Sequence, residues 1–300
     1  MELDAMVRLI EMLEEGASGQ RIAEELGISR TSVWKMIRKL EEMGYVISAK
    51  RKVGYKLLKR PDLSPYEVAR VCKNSKIVKE IRYYRTTDST NERAKEIGKT
   101  GVLVIAERQT TGKGRFGRRW ISEPGGLYFS LTLDPLPIED VPKLTLTAGV
   151  AVAEAIGGKL KWPNDVLIEG RKVCGILCEL TGEVENPIVI VGIGINVNNP
   201  VPEYAISLKE VHGKDLNRSQ VLGRVIERFE FYYEKLLEGK WEKVRERWKK
   251  LSDTLGKFVV VRVAGKEFRG LAKDLAENGA LILKRDGEEI RVFSGECFYI

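Results

Sequence analysis

The chain has 300 residues, of which 43% are hydrophobic and 31% charged, and its formal net charge is +8. This length predicts two or three domains, because a domain usually takes roughly 100–200 residues. No apolar run approaches the roughly 18 residues of a membrane span and no signal peptide is recognisable, so we expect a cytoplasmic protein without a membrane partner. Four scattered cysteines and one histidine argue against a disulfide framework or a zinc site.

Apolar residues at helical spacing predict three helices near the N-terminus. They cover residues 3–13, 18–26 and 30–43, and Ser29 is placed to cap the third. Two strand-like pieces follow between residues 45 and 58, joined by a cationic tip. Two helices around a tight turn, followed by a two-stranded wing, are typical of a winged helix-turn-helix.

The charge of this module is divided along the sequence. Residues 1–27 carry a net charge of −5, whereas residues 28–60 carry +8. Such polarity is the electrostatic footprint of an anion-binding face. We therefore predict DNA contacts by the third helix and the wing, with protein contacts as the alternative use of this fold. The predicted DNA-contacting residues are Ser29, Arg30, Thr31, Ser32, Lys35, Lys50, Arg51 and Lys52.

A loop at residues 110–120 follows a strand-like run and contains three glycines and four cationic side chains. Glycines let backbone N–H groups approach a phosphate closely, and arginines supply forked donors, so the loop predicts anion binding. A solvated basic hairpin tip is the alternative. Gly112, Gly114 and Gly117 match the spacing of a dinucleotide fingerprint, but the residues after them are not helical in pattern, which weakens that match.

Four further motifs lie at the ends of predicted elements. Residues 87–91 precede a helix, residues 161–165 interrupt two strands, residues 171–177 begin a strand, and residues 192–197 end one. Taken alone, the first motif is better explained by a helix cap at Ser89 or Thr90 than by donors that bind a small polar ligand. The two glycines of the last motif, inside an otherwise β-branched strand, predict the close approach of a ligand.

Two long helices are predicted within residues 221–251, before the C-terminal module. That module begins after them and consists of four predicted short strands, separated by Gly265, Gly279 and Gly287. Short strands at regular spacing are typical of a small barrel. We therefore expect three domains, which are residues 1–60, 66–254 and 255–300.

Taken in order, the four motifs, Gln109 and the glycine-rich loop resemble those of biotin–protein ligases. With the winged helix ahead of them, the chain is similar to the bifunctional form that also represses the biotin operon, and the resemblance covers nearly all 300 residues. It implies an α+β multidomain fold. A winged helix-turn-helix would precede a central mixed-sheet α/β domain, which resembles the catalytic fold of class II aminoacyl-tRNA synthetases and biotin ligases, and an SH3-like β-barrel would end the chain.

The resemblance also implies the chemistry and the partners. Biotin and ATP would form biotinyl-5′-AMP, and biotin would pass to a lysine of a biotin carboxyl carrier protein. The adenylate would act as corepressor of genes for biotin synthesis or transport, through a homodimer on operator DNA. Neither chemical step needs a Ser, Cys or His nucleophile, so catalysis would depend on orientation and on charge placed at the phosphate.

Individual roles follow from the same resemblance. Residues implied to bind biotin are Ser89, Thr90, Asn91, Gln109, Lys113, Gly114, Arg115, Lys172 and Gly175. Residues implied to bind ATP or the adenylate are Arg115, Arg118, Trp120, Asn164, Asp165, Lys172 and Asn196. Lys172 and Arg115 are the implied catalytic residues. Asp165 would hold Mg²⁺ through its carboxylate.

Two positions depart from the pattern of the family. Lys113 stands where the family loop usually has Arg, and a lysine lacks the bidentate fork of a guanidinium, so ordering of the loop around the adenylate could differ. Ala205 stands where a Trp usually covers the adenine, and we expect the neighbouring Tyr204 to cover it instead. Residues 110–120 and 199–217 are expected to be mobile without ligand.

Two alternative functions remain open. A related ligase for lipoate or octanoate would share the central fold, and competition between ligands would distinguish it. A ligand-sensing repressor without enzymatic activity is the second alternative. The presence of Arg115, Arg118 and Lys172 argues against it, and any exchange of pyrophosphate into ATP would exclude it.

Overall fold

The computed structural model describes residues 2–50, 53–182 and 187–300, which form two compact units, Met1–Asn74 and Ser75–Ile300. Among these described residues, no helix combines the length and apolar character that crossing a bilayer requires. The expected three-domain division stays a prediction, because the structure divides the chain only once, after Asn74.

The first unit is a winged helix-turn-helix with one additional helix. Its elements are α1 (Glu2–Glu15), α2 (Gly19–Leu26), α3 (Arg30–Glu42), β1 (Val46–Lys50), β2 (Gly54–Lys59) and α4 (Pro65–Val71). Ser29 caps α3 as predicted, since its hydroxyl accepts the backbone N–H of Ser32 at 3.0 Å. Val33, Ile37 and Leu40 give α3 its buried face.

The wing pairs β1 with β2 in antiparallel register and attaches to the turn after α1. Tyr55 and Ala17 exchange backbone hydrogen bonds of 2.8 and 3.0 Å. Gly54 has φ +98°, and a side chain there would meet the backbone of Ala17, so the start of β2 requires glycine. Arg51 and Lys52, predicted to contact DNA, lie outside the described residues.

Helix α4 lies mostly within the predicted catalytic domain of residues 66–254, but it packs on α1 in the first unit. Its Glu67 side chain is fully buried and accepts a hydrogen bond from Tyr45 at 3.0 Å and one from Arg70 at 2.8 Å. Arg60, which follows the wing, forms ion pairs with both Glu67 and Glu14 of α1. A buried carboxylate with several cationic and hydroxyl partners therefore joins α4 to the winged helix.

The second unit contains a seven-stranded mixed sheet and a smaller antiparallel sheet. Its elements are β3 (Glu80–Thr87), α5 (Thr90–Ile97), β4 (Val102–Gln109), β5 (Leu127–Leu133), α6 (Val141–Ile156), β6 (Lys159–Lys161), β7 (Asp165–Ile168), β8 (Arg171–Thr181), β9 (Ile188–Ile195), α7 (Leu208–His212), α8 (Arg218–Leu237), α9 (Trp241–Leu251), β10 (Phe258–Val263), β11 (Lys266–Leu275), β12 (Leu281–Arg285), β13 (Glu288–Val292) and β14 (Glu296–Tyr299).

The large sheet has the strand order β3-β4-β5-β9-β8-β7-β6, in which β3 and β4 are parallel and the other pairs are antiparallel. Alternation along the strands separates its two faces. Helix α5 contacts the face that carries Ser130 and Gly192, through hydrogen bonds and close packing of Asn91. Helix α6 covers the opposite face, where Gly149 lies against Ile176. The polar site described below lies on the α5 face.

The C-terminal sheet has five antiparallel strands in the order β13-β12-β11-β10-β14. The sequence predicted four of these strands and missed β14. This strand has only four residues, and its pairing with β10 leaves no local sequence pattern. Trp162, in the motif at residues 161–165, donates its indole N–H to the carbonyl of Gly279 at 3.2 Å. This buried contact ties the end of β6 to the C-terminal sheet.

Candidate active site

A cavity of about 340 Å³ opens on the α5 face of the large sheet. Every residue that the sequence assigned to biotin or to ATP lines it. These are Ser89, Thr90, Asn91, Gln109, Lys113, Gly114, Arg115, Arg118, Trp120, Asn164, Asp165, Lys172, Gly175 and Asn196. They come from five separate stretches of chain, so the fold brings together residues that are distant in sequence. Their individual roles stay predictions.

The start of α5 and the end of β4 meet at one side of the cavity. Gln109 Oε1 accepts the backbone N–H of Thr90 at 2.7 Å and its hydroxyl at 3.1 Å. Gln109 Nε2 donates to Ser122 at 2.8 Å. Ser89 is the N-cap residue of α5, but its side chain makes no capping hydrogen bond. The explanation of this motif as a serine or threonine cap is therefore wrong, because Gln109 supplies the side-chain acceptor.

Asn91 is held on the floor of the cavity by partners that the sequence did not predict. Ser130 Oγ lies 2.5 Å from Asn91 Oδ1, and Asn91 Nδ2 donates to Glu179 Oε2 at 2.7 Å. A side chain at Gly192 would overlap Asn91. The glycine in β9 is therefore required, in the structure, by the approach of an asparagine from within the chain.

Trp120 occupies the space beside the second glycine of β9. A Cβ at Gly194 would overlap its indole nitrogen, and a Cβ at Gly175 would lie 2.9 Å from its ring. Lys172 Nζ lies 5.3 Å from the ring centroid, within cation–π range. In the described structure the indole Nε1 is buried without a hydrogen-bond partner, and such a group normally finds an acceptor. A ligand could supply that acceptor.

The glycine-rich loop forms a narrow hairpin over the cavity. Trp120 N–H donates to Gly112 O at 2.8 Å, and Gly114 N–H donates to Arg118 O at 2.7 Å. Between these bonds the chain makes a single turn in which Phe116 has φ 57°. A non-glycine residue in this left-handed region is uncommon and marks a backbone determined by its surroundings.

Cations and carboxylates are paired around the cavity. Lys172 Nζ lies 2.7 Å from Asp165 Oδ1, and Arg118 lies 2.6 Å from Glu296 of β14. Arg115 donates to Asn164 Oδ1 at 3.3 Å and to a backbone carbonyl after β13 at 3.1 Å. Burial lowers the pKa of Arg115, while Asp165 acts in the opposite direction. An arginine remains a cation across the physiological pH range. Arg115, Arg118 and Lys172 therefore present positive charge to the same cavity.

The site provides positive charge and hydrogen bonds and has little nucleophilic character. Cys297 lines the cavity, but burial raises its pKa to about 11, so it is a thiol at neutral pH. His212 ends α7 and is not among the lining residues. Among the cysteines, Cys174 is fully buried and Cys178 is partly covered on the same strand, and all four thiols are free.

The described residues include no group of three or more His, Cys, Asp or Glu side chains arranged to hold a metal. Asp165 offers one carboxylate at the cavity, and the amide oxygen of the adjacent Asn164 lies beside Arg115. Magnesium is commonly bound by one or two carboxylates together with substrate phosphates. This donor set therefore suits a Mg²⁺ that arrives with a nucleotide, and does not form a cage by itself.

The segment after β9 closes the side of the cavity near Asn196. Asn196 is buried, and its amide oxygen accepts from Asn199 at 3.2 Å. Ala205 is buried beside Lys172. The backbone carbonyl of Lys172 accepts a hydrogen bond from the N–H of Ile206 at 3.0 Å. Tyr204 is 72% exposed and also lines the cavity. A mobile tyrosine cover for adenine is compatible with this position and stays a prediction.

Most of the predicted DNA-binding residues that the structure describes are exposed, and Ser32 is half-buried. Arg30, Thr31 and Lys35 are exposed on the first turns of α3, and Lys50 is exposed at the end of β1. The Ser29 hydroxyl is already engaged within the chain, because it caps α3 by accepting the backbone N–H of Ser32. Trp34, on the same helix, is 51% exposed, and the guanidinium of Arg38 lies over its ring at 5.5 Å from the centroid.

Several lining or supporting residues were missed in the sequence. Ser130 is a polar residue inside an apolar strand, and this pattern is a usable signal. Glu179 resembles any solvent-facing strand residue, so it gave none. The residues at 295–298 line the cavity from the C-terminal sheet, and only the tertiary fold places them there.

Comparisons with known proteins agree across the chain. Residues 83–196 match the Biotin/lipoate A/B protein ligase family, residues 3–56 an HTH domain, and residues 254–299 the Biotin protein ligase C terminal domain. The Bifunctional ligase/repressor BirA of Bacillus subtilis (strain 168) is 34% identical over 96% of both chains. That of Escherichia coli (strain K12) is 30% identical over 94% of this chain and 92% of its own.

A solved structure supports the same assignment. The biotin protein ligase from Aquifex aeolicus in complex with biotin and ATP is 35% identical, with a TM-score of 0.68 over 74% of this chain and 99% of that one. Identity above 30% over nearly the whole length, together with three matching domains in the same order, identifies the family. The chain belongs to the biotin/lipoate protein ligase family, with the bifunctional ligase/repressor proteins.

Proposed function

We propose that this chain is an ATP-dependent biotin–protein ligase that also represses transcription. The observation that carries the proposal is the convergence of all the predicted ligand residues on one cavity. The cavity combines an amide- and hydroxyl-lined end, at Gln109 and Asn91, with a cationic end, at Lys172, Arg115 and Arg118. This polarity suits a neutral ring system joined to a carboxylate and a phosphate.

Lys172 and Arg115 act by placing positive charge where negative charge develops. In the first step the biotin carboxylate attacks the α-phosphate of ATP, and pyrophosphate leaves. Lys172 would bridge the carboxylate and the α-phosphate, and Arg115 would contact both groups from the loop. Fixed cations in a site that excludes water stabilise the transition state at small reorganisation cost. Holding two reactants in contact contributes further by removing the entropy of their encounter.

Asp165 and Asn164 are the residues that would hold Mg²⁺, which would neutralise phosphate charge when bound. The indole of Trp120 would lie against the adenylate, and Asn196 would read the adenine. In the second step the mixed anhydride is attacked by a lysine amine of a biotin carboxyl carrier protein, which releases AMP. No protein nucleophile takes part, which agrees with the un-ionised thiol of Cys297.

The repressor function uses the exposed face of α3 and the wing. Occupation of the cavity by biotinyl-5′-AMP would order the loops at residues 110–120 and 199–217 and favour a homodimer. Two winged helices of a dimer would then meet the two halves of a palindromic operator. Four free thiols suit the predicted cytoplasmic location.

The test of the proposal is transfer of biotin to a carrier domain, followed by mass spectrometry. A mass increase that requires biotin and ATP is expected. Transfer of lipoate or octanoate in place of biotin would instead indicate the related acyl ligases. Binding of operator DNA should become tighter when biotin and ATP are both present, and an unchanged affinity would contradict the repressor role.

A further inference from the structure

Side chains of the glycine-rich loop contact the C-terminal segment and helix α5, and its backbone is held where Thr110 and Thr111 N–H donate to the carbonyls of Thr87 and Asp88. Arg115 and Arg118 connect it to the C-terminal segment, as described above. On the other side, Lys113 Nζ lies 2.8 Å from Glu92 Oε1. Glu92 belongs to the first turn of α5, directly after Asn91. This ion pair joins the loop to the helix whose first residues line the cavity.

Glu92 is also one member of a chain of alternating charges. Lys95 Nζ lies 2.8 Å from Glu92 Oε1 and 2.7 Å from Glu179 Oε1. Glu179 in turn accepts a hydrogen bond from Asn91. The four charged side chains, including Lys113, are between 25% and 45% exposed, so solvent screens them only in part. The chain of contacts runs from the loop to the cavity floor.

The ionisation of these groups agrees with their pairing. The hydrogen bond from Lys113 and then that from Lys95 lower the pKa of Glu92. Burial by itself would lower the pKa of Lys95, but Glu179 and Glu92 raise it more. Both shifts favour the charged forms of Glu92 and Lys95, which agrees with their ion pair.

We propose that Glu92 is a positioning residue that holds the glycine-rich loop closed over the ligand through Lys113. Lys95 and Glu179 extend the same chain to Asn91, so loop closure and the orientation of Asn91 support each other. The Lys113 and Glu92 side chains are 45% and 31% exposed, and ion pairs that solvent screens contribute about 1 kcal/mol or less, so this contact can break without loss of the fold. The loop can therefore open for entry and release. The inference rests on the proposed function, in which biotin is the molecule retained.

The test measures biotin dissociation from the full-length protein by stopped-flow fluorescence, with Trp120 in the cavity wall as reporter. We expect Glu92→Gln to release biotin about fivefold faster, equivalent to about 1 kcal/mol. Glu96→Gln is the matched control, because Glu96 lies on the same helix but pairs with Arg93. It should release biotin at the wild-type rate. Thermal unfolding should be unchanged in both variants.

A double-mutant cycle separates positioning from a general structural effect. Lys113→Gln and Glu92→Gln should each speed release, and the double variant should be no faster than either, because both remove one contact. Added salt should accelerate release from the wild type and have much less effect on Glu92→Gln. Additive effects, or a wild-type release rate in Glu92→Gln, would overturn the inference alone. Absence of biotin binding by the wild type would overturn the proposed function as well.

Discussion

Glycines in β9 are the residues that most tightly shape the cavity. Gly194 leaves room for the indole of Trp120, which in turn lies beside Lys172. The lack of a side chain at Gly194 therefore determines where Trp120 lies in the cavity wall and how close its ring is to Lys172. The sequence pattern suggested a ligand against this glycine, whereas the structure places a tryptophan there.

We predict that Gly194→Ala lowers the rate of adenylate formation at least tenfold. The added methyl overlaps the indole, and overpacking of this kind costs about 1–3 kcal/mol or displaces the ring. Gly149→Ala is the control, since its methyl would meet the side chain of Leu160 at 3.1 Å on the opposite face. Single-turnover kinetics measure both rates. Wild-type activity in Gly194→Ala would show that the position of Trp120 is unimportant.

Glu296 holds a cation that we assign to phosphate binding. Its contact with Arg118 at 2.6 Å places a carboxylate beside the expected path of a polyanion. We predict that Glu296→Gln binds ATP about threefold more tightly, because a competitor for Arg118 and a source of repulsion are both removed. Calorimetric titration measures the affinity.

Glu267→Gln provides the matched control for that experiment. Glu267 lies on the same C-terminal sheet and pairs with Arg262 and Arg269, outside the cavity lining. The Glu267→Gln variant should bind ATP with the same affinity as the wild type. Weaker binding by Glu296→Gln would indicate that the carboxylate holds Arg118 in its binding geometry, contrary to our assignment.

At the scale of single elements, α3 is the predicted DNA-reading helix. Arg30 is exposed on its first turn, where the positive end of the helix dipole adds to its charge. We predict that Arg30→Ala weakens DNA binding and reduces the slope of log affinity against log salt by about one, if the side chain meets a phosphate. Fluorescence anisotropy over a salt series measures this slope.

Arg21→Ala serves as its control. Arg21 is exposed on α2 and pairs with Glu15, on the acidic part of the module. It should leave the salt slope unchanged. Equal effects of the two substitutions would mean that net charge, and not the face of α3, governs the association.

Helix α4 is predicted to depend on one buried carboxylate. Removing Glu67 leaves Arg60 and Arg70 near the interior without their shared partner, and breaking a buried pair in this way costs about 3 kcal/mol. Glu67→Ala should therefore lower hydrogen-exchange protection throughout residues 1–74 of the full chain. Glu24→Ala, on the exposed side of α2, should not. Unchanged protection in Glu67→Ala would contradict this account of the helix.

Most elements could be predicted from the sequence because their signals are local. Periodicity and caps identified the winged helix, including the Ser29 cap, and apolar or β-branched runs identified strands of the central sheet. Strand β14 and the partnership of Glu179 with Asn91 depend on pairing between distant segments, which no local pattern records. The same applies to α4, whose attachment to the first unit follows from the burial of Glu67.

At the scale of the whole molecule, the candidate site was predictable for a different reason. Each motif was ambiguous alone, and the glycine-rich loop was compatible with a solvated hairpin. Five motifs in a fixed order resembled one family, and that resemblance assigned residues which the structure then assembles around one cavity. The motifs gave no indication of the supporting carboxylates Glu92, Glu179 and Glu296. Family motifs record the residues that contact ligands, and these three support such residues instead.

The central claim is that this cavity activates biotin with ATP, and the most direct test is biotin-dependent exchange of labelled pyrophosphate into ATP. The wild type should catalyse exchange only when biotin is present. Lys172→Ala should reduce the rate by two or more orders of magnitude, because about 3 kcal/mol of transition-state stabilisation is lost with one well-placed charged donor. Exchange with lipoate or octanoate in place of biotin, or no exchange with any of these acids, would contradict the claim.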